Sequence, residues 1–295
     1  MKTAIVSGAN APFFGMLVDL LDSIDAVRIG EPLDFCVLDV GLTSEQRTQL
    51  EARTKKIVEP GWDFNFPLRD RMPRHMQAQL ARPFLPKHFP GYDRYLYLDA
   101  DLWLQDYRAI QLLLLASHAE NIAIIPEIHR AYSHNYRIHA GQLSDLAKHY
   151  VRGWGEQMGV SMANMPIINS GVWAMRYDLP YWDAWADTLH FALQRDANHM
   201  SEQCALNVAL YSGKIAYYAL PAWCNWITSM AAPILDTETG TFHEPLLPHE
   251  ELSIVHLVGN KTKPIDIQCV DGKVRKMPLT YSSVRRSIRP GPSAL

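Results

Sequence analysis

Apolar and polar positions follow one another along the chain in two rhythms. Short, nearly continuous apolar runs occur at "TAIVSG" (3–8), "LDFCVLDV" (33–40), "KKIVEP" (55–60) and "RYLYLDADLWL" (94–104). Such runs predict strands, and in a parallel sheet these are buried on both faces. Between them, "FGMLVDLLDSI" (14–24) and "LTSEQRTQLEAR" (42–53) have helical spacing, the second with Thr43 and Gln46 placed as a capping box. "MPRHMQAQLARPFLPKHF" (72–89) reads as a helix that Pro83 and Pro86 must end or kink. Further on come a helix at "DYRAIQLLLLASHAE", strands at "NIAIIPE" and "PIINSGVWAMR", and helices at "LPYWDAWADTLHFALQRD" and "SEQCALNVALYSG". "IAYYALP" and "LSIVHLVG" are late strands. This order predicts an α/β fold with a central, mostly parallel sheet flanked by helices. With no internal repeat or clear linker, residues 1–275 read as one domain. Residues 127–166 break the rhythm and read as an insertion with a helix near "LSDLAKHYVRGW", serving as a lid or acceptor loop. Residues 276–295 read as a basic, flexible tail.

The run "YLYLDADLWL" carries two carboxylates, Asp99 and Asp101, inside an apolar strand. Tyr95 and Tyr97 are expected on one side of the sheet and Leu96 and Leu98 on the other. The aspartates then fall at the strand's C-terminal end, the edge where open α/β sheets bind ligands. At positions i and i+2 they point to one side of an extended chain. Two such charges repel and lose hydration, and a divalent cation relieves both costs. Mg²⁺ and Mn²⁺ suit carboxylates and commonly hold substrate phosphates as well. The pair therefore reads as a metal–diphosphate site, with a solvated turn as the plain alternative.

Composition narrows the picture a little. A net charge of −3 gives no basic field for nucleic acid. No apolar run approaches the roughly 20 residues that cross a bilayer. The N-terminus reads as a strand and not as a signal peptide. Four cysteines without CxxC spacing argue against a disulfide scaffold and fit a reduced, cytoplasmic compartment. A phosphatase of the haloacid dehalogenase type would need DxDxT, and Trp103 stands in the threonine's place. A sugar nucleotidyltransferase would need a Gly-rich basic loop after the first strand, which "SGANAPFFG" is not.

Five segments together resemble the family 8 glycosyltransferases of GT-A, Rossmann-like fold. They are "AIVSGANAPFFGMLVDLLDSI", "RPFLPKHFPGYDRYLYLDADLWL", "INSGVWAMR", "SEQCALNVAL" and "VHLVGNKTKP", in family order over roughly residues 3–264. The resemblance implies a retaining hexosyltransferase that uses Mn²⁺ or Mg²⁺ and a nucleotide-diphosphate sugar, UDP-linked by preference. It implies a carbohydrate, glycolipid or protein acceptor. Asp99, Asp101 and His256 match the metal ligands. Ser7, Ala9, Asn10, Arg82, Ala100, Asn169, Ser170, Gly259 and Lys263 match donor-binding positions, with Phe13 or Phe14 where a base could stack. Gln203 matches the residue at the reacting face, beside Glu202, which would orient sugar hydroxyls or act as a helix N-terminal acid behind Ser201 as cap. The Gly259–Lys263 spacing is one residue longer than the family's, so Lys261 competes with Lys263, and Ile265 replaces a tryptophan.

Trp182 and Trp185 lie three apart on a helix and read as core, whereas Trp223 and Trp226 in "PAWCNWITS" are acceptor-site candidates. His129, His134, His139 and His149 are too irregularly spaced for a metal site. Arg275, at the domain's end, and the tail's Lys276, Arg285, Arg286 and Arg289 read as solvated. Weak attraction to the inner membrane surface is the alternative. Two other functions compete: a nucleotide-sugar-binding protein without turnover, and a phosphatase using Asp99.

Overall fold

The structure is a computed structural model and describes every residue except 31–32, 68, 133–139, 260–261 and 289–295. The first half runs β1 (Thr3–Ala9), α1 (Phe14–Val27), β2 (Asp34–Asp39), α2 (Ser44–Glu51), β3 (Lys56–Val58), α3 (Met76–Leu80), α4 (Leu85–His88), β4 (Arg94–Leu98), β5 (Leu102–Leu104), α5 (Arg108–Ala116) and β6 (Ile122–Pro126). Next come α6 (Ala140–Trp154), α7 (Glu156–Ala163), β7 (Ile168–Arg176), α8 (Tyr181–Leu193), α9 (Ser201–Tyr211) and β8 (Tyr217–Ala219). The chain closes with β9 (Trp226–Ile227), β10 (Ile234–Asp236), β11 (Thr241–His243), β12 (Ile254–His256), β13 (Ile265–Gln268), β14 (Val274–Met277) and α10 (Tyr281–Ile288).

Seven strands form the main sheet in the order β3-β2-β1-β4-β7-β6-β8. β3, β2, β1 and β4 are mutually parallel, whereas β7 runs antiparallel to β4 and β6. β4 divides the core as its alternation predicts. Tyr95 and Tyr97 join one apolar cluster with Trp173, Trp182 and Trp185. Leu96 and Leu98 join the other, with Leu17 and Leu20 of α1. Thr43 and Gln46 make both bonds of the capping box. The proline-bearing segment breaks as expected: a 3₁₀ turn at Arg82–Phe84 separates α3 from α4.

In the insertion, α6 packs against α7, and Tyr150 and Met162 are buried with Cys204 and Val208 of α9. His129 pairs with Glu244, and His149 faces His199 with ring centroids 5.5 Å apart. His134 and His139 lie outside the described residues.

Residues 276–288 differ from a loose tail. Met277, Leu279, Tyr281 and Val284 are buried with Trp103 and Phe242, and Ser282 bonds Asp19 of α1. Tyr281 and Val284 of α10 are thus spent in the core, and Arg285 and Arg286 are exposed. Arg289 lies outside the described residues. None of the described helices is long and apolar enough to cross a bilayer.

Candidate active site

β1 connects outward to β2 on one side, and β4 lies on its other side. The β1/β4 boundary is therefore a topological switch point, where connections diverge and leave a crevice. A cleft of about 420 Å³ opens there. Gly8, Ala9 and Asn10 line it from the end of β1, and Tyr97, Asp99, Ala100 and Asp101 from the end of β4. His75, Gln79 and Arg82 close a third side.

Asp99 and Asp101 occupy a turn between β4 and β5, not the interior of one long strand. β5 leaves the main sheet and pairs antiparallel with β12, with Leu102 opposite His256. The Leu257 N–H donates to the Asp101 carbonyl at 2.8 Å. This register delivers a histidine 155 positions away in sequence to the two carboxylates. His256 Nε2 lies 3.4 Å from Asp101 Oδ1 and 3.9 Å from Asp99 Oδ2. One ligand atom from each residue falls within 4.8 Å of the others.

The donor set fits a divalent cation. His256 is buried, and its Nε2 has no hydrogen bond of good geometry. Burial opposes charge on the ring, but Asp101 and then Asp99 outweigh it and raise its pKa. Two carboxylates and an imidazole converging on one point form a mixed O/N ligand set of the kind that holds a divalent cation.

Arg82 is the hub behind this cluster. Its guanidinium is almost fully buried and donates to Asp99 Oδ1, Glu202 Oε2 and Ser170 Oγ, each at 2.6 Å. It also lies 4.4 Å from the centre of the Tyr97 ring. Arg82 borders the cleft, yet most of its donors are committed to protein groups. Its geometry is that of a residue fixing Asp99 and Glu202.

Glu202 does lie in the first turn of α9, but not at a solvated end. It is buried, and Ser201 is the first helical residue of α9, not its cap. Burial pushes the Glu202 carboxyl up to about 7, against the pull of Arg82. Gln203 Oε1 accepts the Ser170 N–H at 3.2 Å, which ties the carboxamide to β7.

Gly171 on β7 is required by space. Its carbonyl accepts the Asp99 N–H at 2.8 Å, and a Cβ there would stand 2.3 Å from Asp99 Oδ2. Gly171→Ala is therefore expected to cost ~1–3 kcal/mol through forced displacement of the Asp99 side chain. Urea unfolding reads this directly, and unchanged stability would mean that Asp99 moves aside freely.

The structure brings together Asp99, Ala100, Asp101, Arg82, Ala9, Asn10 and His256, with Asn169, Ser170, Glu202 and Gln203 behind them. Ser7 is not among the residues that line the cleft; it is fully buried within β1. Phe13 lines the cleft and Phe14 does not. Gly259 makes a left-handed turn (φ 78°) against Ser229. Lys263 is exposed, with no ion pair among the described residues, and Lys261 lies outside them. Trp226 is fully buried and bonds Ala231, so it is no acceptor platform; Trp223 is half-buried under Arg108.

Two buried residues were missed. Asn225 Oδ1 lies 2.9 Å from His256 Nδ1, and Glu127 Oε1 accepts from Asn169 Nδ2 at 3.2 Å. Burial pushes Glu127 up to about 7. Glu127 directly follows β6, the same signal that singled out the aspartates, whereas Asn225 comes just before β9 and lacks it.

No family model matches the sequence, and no curated protein matches it. Solved structures do. A galactosyltransferase, LgtC, in complex with donor and acceptor sugar analogues is similar at 14% identity and a TM-score of 0.56, over 98% of both chains. Another structure of LgtC carries a glutamine-to-glutamate change in its active site. Mouse xyloside xylosyltransferase 1 is similar at 13% identity and a TM-score of 0.52, over 88% of this chain and 98% of that one. The bifunctional glycosyltransferase WbbM is similar at 15% identity and a TM-score of 0.58, over 99% of this chain but 50% of its own. The chain has the GT-A fold of these glycosyltransferases.

Proposed function

We propose that the protein is a metal-dependent, retaining glycosyltransferase of the family 8 type, moving a hexose from a nucleotide-diphosphate sugar to a carbohydrate-bearing acceptor. One observation carries this reading: Asp99, Asp101 and the unpartnered Nε2 of His256 converge at the mouth of a cleft on the sheet's switch point. These residues would hold Mn²⁺ or Mg²⁺, which when bound supplies Lewis-acid neutralisation of the leaving diphosphate. UDP is the favoured carrier on the sequence resemblance.

The chain's own groups then divide the work. The cleft between Ala9, Asn10 and Ala100 takes the nucleoside, with Phe13 as an apolar ring beside it. Arg82 holds Asp99 and Glu202 in place. Gln203, on the first turn of α9, is assigned to the reacting face. A neutral amide is a poor nucleophile, and it suits stabilising charge during same-face attack. The active-site glutamine of the similar galactosyltransferase supports this assignment. The 127–166 insertion is assigned to the acceptor, because α6 and α7 pack on α9, the helix that carries Glu202 and Gln203.

A second reading, binding without turnover, has one observation in its favour: Lys263 is exposed, is not among the residues lining the cleft and has no ion pair among the described residues. A phosphatase role for Asp99 is disfavoured, since Arg82 clamps its Oδ1 and Trp103 is buried against Leu279.

A thermal-shift and turnover screen of UDP- and GDP-sugars, with and without Mn²⁺, tests the proposal. Mn²⁺-dependent stabilisation with release of nucleoside diphosphate is expected. Binding without release would favour the second reading, and neither would end the first. Gln203→Ala should lower turnover at least ~10²-fold, with donor affinity changed far less. An unchanged turnover would remove its role.

A further inference from the structure

Four buried residues join the candidate metal site to the strand beside it. The Gly171 backbone N–H donates to Asn169 Oδ1 at 2.9 Å. A backbone N–H can only donate, so this bond fixes which end of the Asn169 carboxamide is oxygen. Asn169 Nδ2 then points to the Glu127 carboxylate at 3.2 Å, an acceptor that suits it. Asn225 Nδ2 donates to the same Asn169 Oδ1 at 3.4 Å, which turns its own oxygen towards His256 Nδ1 at 2.9 Å. Every donor in the chain thus follows from one main-chain group.

We propose that Asn225 is a positioning residue that locks His256 as its Nδ1–H tautomer, so that the Nε2 lone pair faces Asp99, Asp101 and an incoming divalent cation. The proposal rests on the metal reading of those three residues. It goes beyond that reading by assigning how the ligand nitrogen is kept free of its proton.

The need for a lock follows from the surroundings. Left alone, a neutral imidazole beside two carboxylates favours Nε2–H, because that proton finds an acceptor in Asp101, 3.4 Å away. In that tautomer the ligand atom is blocked. Asn225 offers the competing acceptor on the opposite ring nitrogen, inside a pocket where Asn225 and His256 are 2% and 1% exposed. The carboxamide is the hydrogen-bond partner of that ring nitrogen, and it decides the ring's polarity. Because its orientation is set from β7, the same strand that holds Asp99 through Gly171, ligand polarity and ligand position share one support.

The test uses the full chain, free of metal, at alkaline pH where the ring is neutral. Long-range ¹H–¹⁵N correlation spectra report the His256 tautomer, and a Mn²⁺ titration followed by electron paramagnetic resonance reports affinity. Wild type should show Nδ1–H. Asn225→Leu, similar in shape but without an acceptor, should move the ring towards Nε2–H and weaken Mn²⁺ binding about 10- to 100-fold. Asn225→Asp keeps the acceptor and should keep the tautomer. A wild-type ring in the Nε2–H form overturns the proposal, even where the leucine variant fails to fold. So does a leucine variant with wild-type tautomer and affinity. A wild-type Nδ1–H ring with no Mn²⁺ binding would uphold the lock and overturn the metal reading instead.

Discussion

Asp101→Ala is expected to lower Mn²⁺-dependent release of nucleoside diphosphate about 10³-fold while leaving the fold intact. The loss follows from ligand geometry. Asp101 Oδ1 is the carboxylate oxygen nearest His256 Nε2, at 3.4 Å. Removing it leaves one carboxylate and one imidazole, too few protein ligands to hold a hard cation against solvent. A bound metal contributes several kcal/mol of charge stabilisation. Each 1.36 kcal/mol is a factor of ten in rate, so about 4 kcal/mol gives the stated loss. The fold should survive because the Asp101 backbone carries the local structure: its carbonyl accepts the Leu257 N–H. Deleting a carboxylate beside Asp99 removes like-charge repulsion but also the attraction of Asp101 for His256, so the melting temperature of the metal-free protein should change little. Retention of full activity would sink the metal reading. A collapse of stability would show that the side chain, not the backbone, holds β5 to β12.

Much of this site was legible because it depends on a strand's local grammar. A greasy run ending in acids identifies a buried strand and its functional end together, and Tyr95 to Leu98 divide between the two core clusters as that grammar requires. The turn at Asp99–Asp101 was not legible. The run "LDADLWL" has no glycine or proline to mark where the chain leaves one sheet for another, because the backbone bends around the carboxylates themselves. The antiparallel course of β7 was equally hidden, since a strand buried on both faces carries no record of its direction.

Burial separates positions that the sequence treats alike. Ser7 lies buried inside β1, whereas Gly8 and Ala9 of the same strand line the cleft, and Arg82 at the cleft's edge gives three N–H groups to Asp99, Glu202 and Ser170. Trp226 reads as a loop tryptophan but fills a core between Tyr132 and His129. His256 needed the resemblance, because only the β5–β12 register brings it to the aspartates. Asn225 stands in "CNW" between Trp223 and Trp226, a pattern dominated by aromatic residues. A lone polar residue between buried Cys224 and Trp226 is costly unless bonded, and that cost was the available signal.

Arg82→Ala should produce the largest loss of stability, about 3–5 kcal/mol near neutral pH, because it strands buried charge. Glu202 would keep only the Ser170 hydroxyl, its Oε1 already lacking a partner. The effect has a definite pH signature. In the intact protein burial holds Glu202 up to about 7, above its unfolded value of roughly 4.3. A carboxyl raised on folding favours the folded state fully below the unfolded value, and that contribution is lost as pH rises through the folded one. Without Arg82 the carboxyl is pushed higher still, so the variant should be least impaired at acid pH and weaken steadily from about pH 4 to beyond 7. Glu202→Gln added to Arg82→Ala should recover part of the stability and flatten the pH dependence, since a neutral amide carries no stranded charge. Urea unfolding across pH distinguishes this from simple loss of packing, which would give a deficit independent of pH and indifferent to Glu202→Gln. Arg82→Lys should rescue little. One ammonium cannot fork between Asp99, Glu202 and Ser170 while lying flat on the Tyr97 ring, and Asp99 would lose the anchor that aims it at His256.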